Sequence, residues 1–83
     1  MQLSVEISKY PLNANYIPAI QDFIDRMNTY DSLTVLTNTM STQVFGDYDD
    51  VMNAIKNEMK SSFEKDLKQV MVMKFINSNL RPN

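Results

Sequence analysis

At 83 residues the chain has room for one small domain and too little apolar material for a second core. It contains neither cysteine nor histidine, which excludes disulfides, thiolate chemistry and Ser-His-acid catalysis, and removes the commonest metal ligand. A net charge of −2 with no Lys/Arg run argues against nucleic acid or an anionic membrane surface as a partner. No stretch approaches the roughly 18 apolar residues of a membrane span, and Met1, Gln2 and the alternation after them do not make a signal peptide. The expectation is a cytoplasmic domain, residues 1–83, with no membrane insertion.

The first predicted element is a strand over Gln2–Lys9. Leu3, Val5 and Ile7 alternate with Ser4, Glu6 and Ser8, the period of a half-buried strand. Tyr10-Pro11 is expected to end it, since proline cannot donate to a ladder. A loop over Leu12–Asn15 follows, with Asn15 as N-cap and Pro18 in the first helical turn. From Tyr16 to about Asn28 a helix is predicted, because Tyr16, Ile20, Phe23, Ile24 and Met27 recur at three and four. Leu33 to about Asn38 is β-rich, a turn falls near Thr39–Ser41, and Thr42–Phe45 returns as a strand. Gly46, the sole glycine, is expected to let the backbone bend sharply into the next helix. That helix runs from Tyr48 to about Phe63, with Asp47 as N-cap and Asp49 and Asp50 against its positive end. Val51, Ile55, Met59, Ser62 and Phe63 mark its expected buried stripe, and Glu64-Lys65-Asp66 is a charged exit. The last strand, Lys68–Ile76, is apolar on both sides: Val70, Val72 and Ile76 on one, Met71, Met73 and Phe75 on the other. The tail Asn77–Asn83 is expected to fray.

The order β-α-β-β-α-β predicts an α+β, ferredoxin-like fold: a four-stranded antiparallel sheet with two helices on one face. The other face would carry Leu36, Phe45 and the second row of the last strand (Met71, Met73 and Phe75), and calls for a cover, most simply a second subunit. This topology brings the end of the first strand to the end of the second, the start of the third and the start of the first helix. Tyr10, Asn38, Met40, Ser41 and Thr42 therefore gather at one edge, with Asn15 and Tyr16 beside them. An aromatic face with small neutral donors and acceptors suits a flat heteroaromatic ligand. Asn, Ser and Thr beside a turn also serve simply as turn formers, and Tyr10 could equally pack in the core.

Other constellations have local explanations. Asp47, Asp49 and Asp50 resemble a cation or acid–base site, but a helix start accounts for them. Met52, Met59, Met71 and Met73 at helical and strand spacing read as adaptable packing rather than a soft-metal box. Lys74, interrupting an apolar row, is expected to snorkel outward. One glycine allows no phosphate loop, and no acid, base or cofactor motif is visible, so neither catalysis, a cofactor nor a metal is expected.

The block Ile7–Leu12, the run Thr37–Met52 and the segment Val72–Phe75 together resemble the YkoF-like thiamin/hydroxymethylpyrimidine-binding family. The resemblance spans about Ser4 to Asn77, and the threonine-rich strand followed by Gly46-Asp47 and Val51 is its most specific part. It implies ferredoxin-like subunits packed sheet to sheet as homodimers or homotetramers, and non-catalytic binding of thiamin or its pyrimidine moiety. It also implies a role in uptake or handling of thiamin precursors. Members of that family can carry two such domains in tandem; this chain has one. Two other classes stand beside this expectation: an assembly or regulatory module that binds a partner protein through its sheet face, and an enzyme of the dimeric α+β barrel type.

Overall fold

The computed structural model describes residues 1–12, 16–65 and 68–82. The expected N-cap at Asn15, the loop residues Asn13 and Ala14, the side chain of Tyr16 and Asp66 of the charged exit lie outside the described residues. The elements follow the predicted order: β1 (Gln2–Pro11), α1 (Tyr16–Met27), β2 (Thr34–Thr37), β3 (Thr42–Asp47), α2 (Tyr48–Lys65) and β4 (Gln69–Ile76). The strands form one antiparallel sheet in the order β2-β3-β1-β4, which with two helices is the ferredoxin-like α+β fold.

Alternation in β1 decides the layers. Leu3, Val5 and Ile7 are buried and pack with Val44 of β3, Phe23 and Met27 of α1, and Val51, Ala54 and Ile55 of α2. Register carries that row across the sheet: Val5 opposes Val44 and Phe75, and Ile7 opposes Thr42 and Met73. Met71 and Met73 thus pack on the helix side. The expectation that they and Phe75 line the open face is corrected, because residues paired across a ladder share a face, and Phe75 opposes Val5. The open face carries Ser4, Glu6, Ser8 and Tyr10 of β1, Gln43 and Phe45 of β3, Leu36 of β2, and Val70, Val72, Lys74 and Ile76 of β4. Lys74 does point outward there, its ammonium 3.6 Å from the carboxylate of its cross-strand neighbour Glu6.

Three further local expectations give way to the structure. β1 runs through Tyr10 and Pro11, which pair with Val70 and Gln69. Pairing with β3 stops at Ile7–Thr42, so on that side Pro11 faces no ladder partner and its missing N–H goes unneeded. Gly46 makes no bend of its own: it lies inside β3 opposite Leu3 and has no positive φ. Its role is close approach, since a Cβ there would stand 2.7 Å from Leu33 Cδ2. In α2, Ser62 is fully buried while Phe63 is 48 % exposed. Eleven residues on from Val51 the helix has turned back to within about 20° of the same direction, whereas twelve residues carry Phe63 about 120° away.

The tail, expected to fray, is tied to the sheet as far as Arg81. Ser4 Oγ donates to the Ser78 carbonyl (2.6 Å) and accepts from the Leu80 amide (2.9 Å), and Arg81 Nη1 donates to Thr34 Oγ1 (3.3 Å). The chain after β4 therefore crosses the open face toward β2. Ser4 and Phe45, both on that face, are buried.

Candidate functional site

Past Ile7, β1 has no partner on the β3 side, and the β2–β3 turn stands beside this unpaired stretch. α1 covers the same end of the sheet. Between them is a cavity of about 260 Å³, lined by Ile7, Lys9 and Tyr10 of β1, by Ile20, Phe23 and Ile24 of α1, and by residues 37–42. All of Tyr10, Asn38, Met40, Ser41 and Thr42 are among its lining residues. Ile7, Phe23 and the two isoleucines of α1 give it an apolar wall, while Lys9, Asn38 and the hydroxyl-bearing residues give it polar groups.

The polar groups differ in what they can still offer. Asn38 is a turn former in the full sense: its Oδ1 accepts from the amides of Met40 (2.7 Å) and Ser41 (2.9 Å), and its own amide donates to the Ser41 carbonyl (3.0 Å). The side-chain oxygen is thereby committed, and its NH2 group is the part left to meet a ligand. Ser41 Oγ donates across to Glu6 Oε2 at 3.1 Å, which turns that hydroxyl toward the open face. Thr42 Oγ1 lies 3.2 Å from Thr37 Oγ1, with either able to donate. Tyr10 is 55 % exposed and by register belongs to the open-face row with Val70, so it stands at the rim of the cavity. Met40, 83 % exposed at the turn, is also a rim residue.

Lys9, Thr37 and Thr39 are polar lining residues that the sequence did not single out. Lys9 continues the Leu3–Val5–Ile7 row, so a charged side chain standing in phase with a core row was the available signal. Its ammonium donates to the Ala19 carbonyl (2.9 Å), approaches Ser62 Oγ at 3.4 Å and sits 5.4 Å from the centre of the Phe23 ring. It is a cation held over an aromatic face and tied to both helices. The acidic run at the start of α2 has the local explanation expected of it: Asp47 Oδ2 accepts from the Asp49 amide (3.2 Å), as an N-cap does.

Solved structures share this architecture. A hypothetical protein of Methanocaldococcus jannascii matches with TM-score 0.79 and 26 % identity, over 99 % of this chain and 86 % of that one. A Streptococcus pneumoniae protein matches with TM-score 0.86 and 18 % identity, over 96 % and 90 % of the two chains. A Thermotoga maritima protein provisionally named for thiamine biosynthesis/salvage matches with TM-score 0.83 and 14 % identity, over 94 % and 85 %. No family model matches the chain, and no curated protein does. Among the described residues no helix is long and apolar enough to cross a membrane.

Proposed function

We propose that this protein binds thiamin or its hydroxymethylpyrimidine moiety, without transforming it, in the cavity between α1 and the β2–β3 turn. The carrying observation is that Tyr10, Asn38, Met40, Ser41 and Thr42 line one cavity together with the apolar Ile7, Ile20, Phe23 and Ile24. The cavity's volume, about 260 Å³, lies just below the roughly 300–1,000 Å³ of sites that enclose drug-sized ligands. A pyrimidine ring fits well within that volume. The ammonium of Lys9 among the lining residues also opposes a thiazolium cation inside. In this reading the pyrimidine enters, the Asn38 NH2 group and the threonine hydroxyls read its edge, and Tyr10 covers it from the rim.

The role is uptake or handling of thiamin precursors, by a homodimer or homotetramer whose open sheet faces pack together. The name of the Thermotoga maritima neighbour supports the ligand class. Calorimetric titration with hydroxymethylpyrimidine, thiamin and thiamin phosphates is the test. Saturable binding that is tightest for the free pyrimidine is expected; no heat and no change in melting temperature with any of them overturns the reading. The second reading, an assembly module docking a partner protein on its open face, is favoured by the exposed apolar residues Leu36, Val70 and Val72 on that face. It expects Asn38→Ala and Thr42→Ala to leave function unchanged.

A further inference from the structure

The inner edge of the cavity ends in a pair of hydroxyls. Thr37 and Thr42 are directly opposed residues of β2 and β3, on the helix side of the sheet, and both line the cavity. Their Oγ1 atoms are 3.2 Å apart, and the geometry permits either to be the donor. Among the described residues no other side-chain hydrogen bond fixes the proton of either hydroxyl.

Two hydroxyls bonded to each other have a simple property. Whichever donates to its neighbour turns a lone pair outward, and the neighbour is left with an outward O–H. The pair always presents one donor and one acceptor side by side, and rotating two hydroxyls swaps their order without moving a heavy atom. Asn38 cannot do this, because its carbonyl oxygen is locked by the turn amides.

We infer that the Thr37–Thr42 pair is a reversible reader of a heterocycle edge, binding an amino group beside a ring nitrogen and a carbonyl beside a ring N–H about equally well. This rests on the cavity being the binding site proposed above. It adds a specificity that the proposal does not contain: the edge must carry one donor next to one acceptor, in either order. A rigid amide reader would reject one of the two forms, since a mismatched order leaves buried polar groups unpaired.

The test is calorimetry with three pyrimidines on the wild type and on Thr37→Val, Thr42→Val and Thr42→Ser. The ligands are hydroxymethylpyrimidine, its counterpart with a carbonyl in place of the amino group, and an analogue with hydrogen there. For the wild type, the amino and carbonyl forms are expected within about threefold of each other, and the hydrogen analogue about tenfold weaker, the worth of one hydrogen bond. Each valine variant is expected to lose about tenfold for both forms alike, with Thr42→Ser recovering most of what Thr42→Val loses. Valine is isosteric with threonine and favours strands, and circular dichroism melts verify that the variants fold. A carbonyl form more than about thirtyfold weaker than the amino form overturns the reversible reader, since that is the penalty of a fixed donor order. Full affinity in both valine variants shows that the hydroxyls do not touch the ligand, and overturns it equally. If the wild type binds none of the three, the cavity reading itself falls and this inference with it.

Discussion

Single residues here do work that their type alone does not announce. Gly46 sits in a strand with ordinary backbone dihedrals, so what it supplies is space beside Leu33 and Val51. Gly46→Ala would push on Leu33 Cδ2, the far end of a flexible side chain, at a cost of about 1 kcal/mol. The reduced freedom of the unfolded chain gives back about 0.4–1 kcal/mol, so the urea midpoint should hardly move. Gly46→Leu has no such escape, with Val51 Cγ2 and the Ser32 carbonyl both 3.5 Å from the added Cβ, and should cost about 2–3 kcal/mol. Had Gly46 supplied a left-handed turn, alanine would already be costly; a large loss with alanine contradicts the packing account. Tyr30 is a second case. Its hydroxyl donates to Glu58 Oε2 at 2.6 Å, and Glu58 also faces Arg26 Nε at 3.5 Å. The hydrogen bond to Glu58 is the main cause that raises the Tyr30 pKa, with burial adding to it. The folded state thus holds this proton more tightly than the unfolded state, so the contribution is complete below pH 10 and is lost as pH climbs through the raised value. Tyr30→Phe should cost about 1 kcal/mol at neutral pH. The difference between variant and wild type should shrink as pH rises above 10, which denaturation at stepped pH measures directly.

At the level of elements, the C-terminal segment changes what the sheet exposes. It has no regular structure, yet the buried Ser4 hydroxyl holds it at two points, and Leu80 lines one hollow with Phe45. Ser4→Ala removes both bonds and should cost about 1–3 kcal/mol, with the segment after Ile76 becoming the first site of limited proteolysis. Unchanged proteolysis there would mean that Leu80 packing, rather than Ser4, retains the tail. Sequence patterning made the order of elements legible, because Leu3–Val5–Ile7 alternates and Phe23, Ile24 and Met27 recur at helical spacing. The gathering of Tyr10, Asn38, Met40, Ser41 and Thr42 was legible too, since topology alone brings those strand ends together. The tail was not, because its anchors are a serine hydroxyl and main-chain groups more than 70 residues apart in sequence, with no periodicity to betray them. The face taken by Met71 and Met73 was also hidden. A strand apolar on both sides gives no phase, and only its pairing with Ile7 and Lys9 sets one. Lys9 was passed over because a lysine near a strand end normally reaches solvent, whereas here the Ala19 carbonyl and the Phe23 ring hold it between sheet and helix.

For the whole molecule, the two sides of the sheet divide the labour. The helices close one side and contain the cavity; the tail covers one end of the other and leaves Leu36, Val70 and Val72 exposed. A chain of 83 residues buries a modest core, so pairing these strips between subunits would add stability that the monomer lacks. Val72 is the probe that separates association from folding. Half exposed within one chain, it opposes Ser8 on the open face, so an aspartate there costs the monomer at most about 1 kcal/mol in strand preference. In a sheet-to-sheet oligomer the same carboxylate would be buried without a partner, a penalty of several kcal/mol. Val72→Asp should therefore lower the mass seen by light scattering from that of an oligomer to that of a single chain, with the far-UV spectrum retained. Equal masses for variant and wild type would remove the open face as the contact. Ile7, Lys9, Phe23, Thr37 and Thr42 of the cavity lining stand on the helix side of the sheet, away from the open face. A monomeric Val72→Asp protein should then bind hydroxymethylpyrimidine as tightly as the wild type; a variant that folds and turns monomeric but loses the ligand would instead move the site to the seam between subunits.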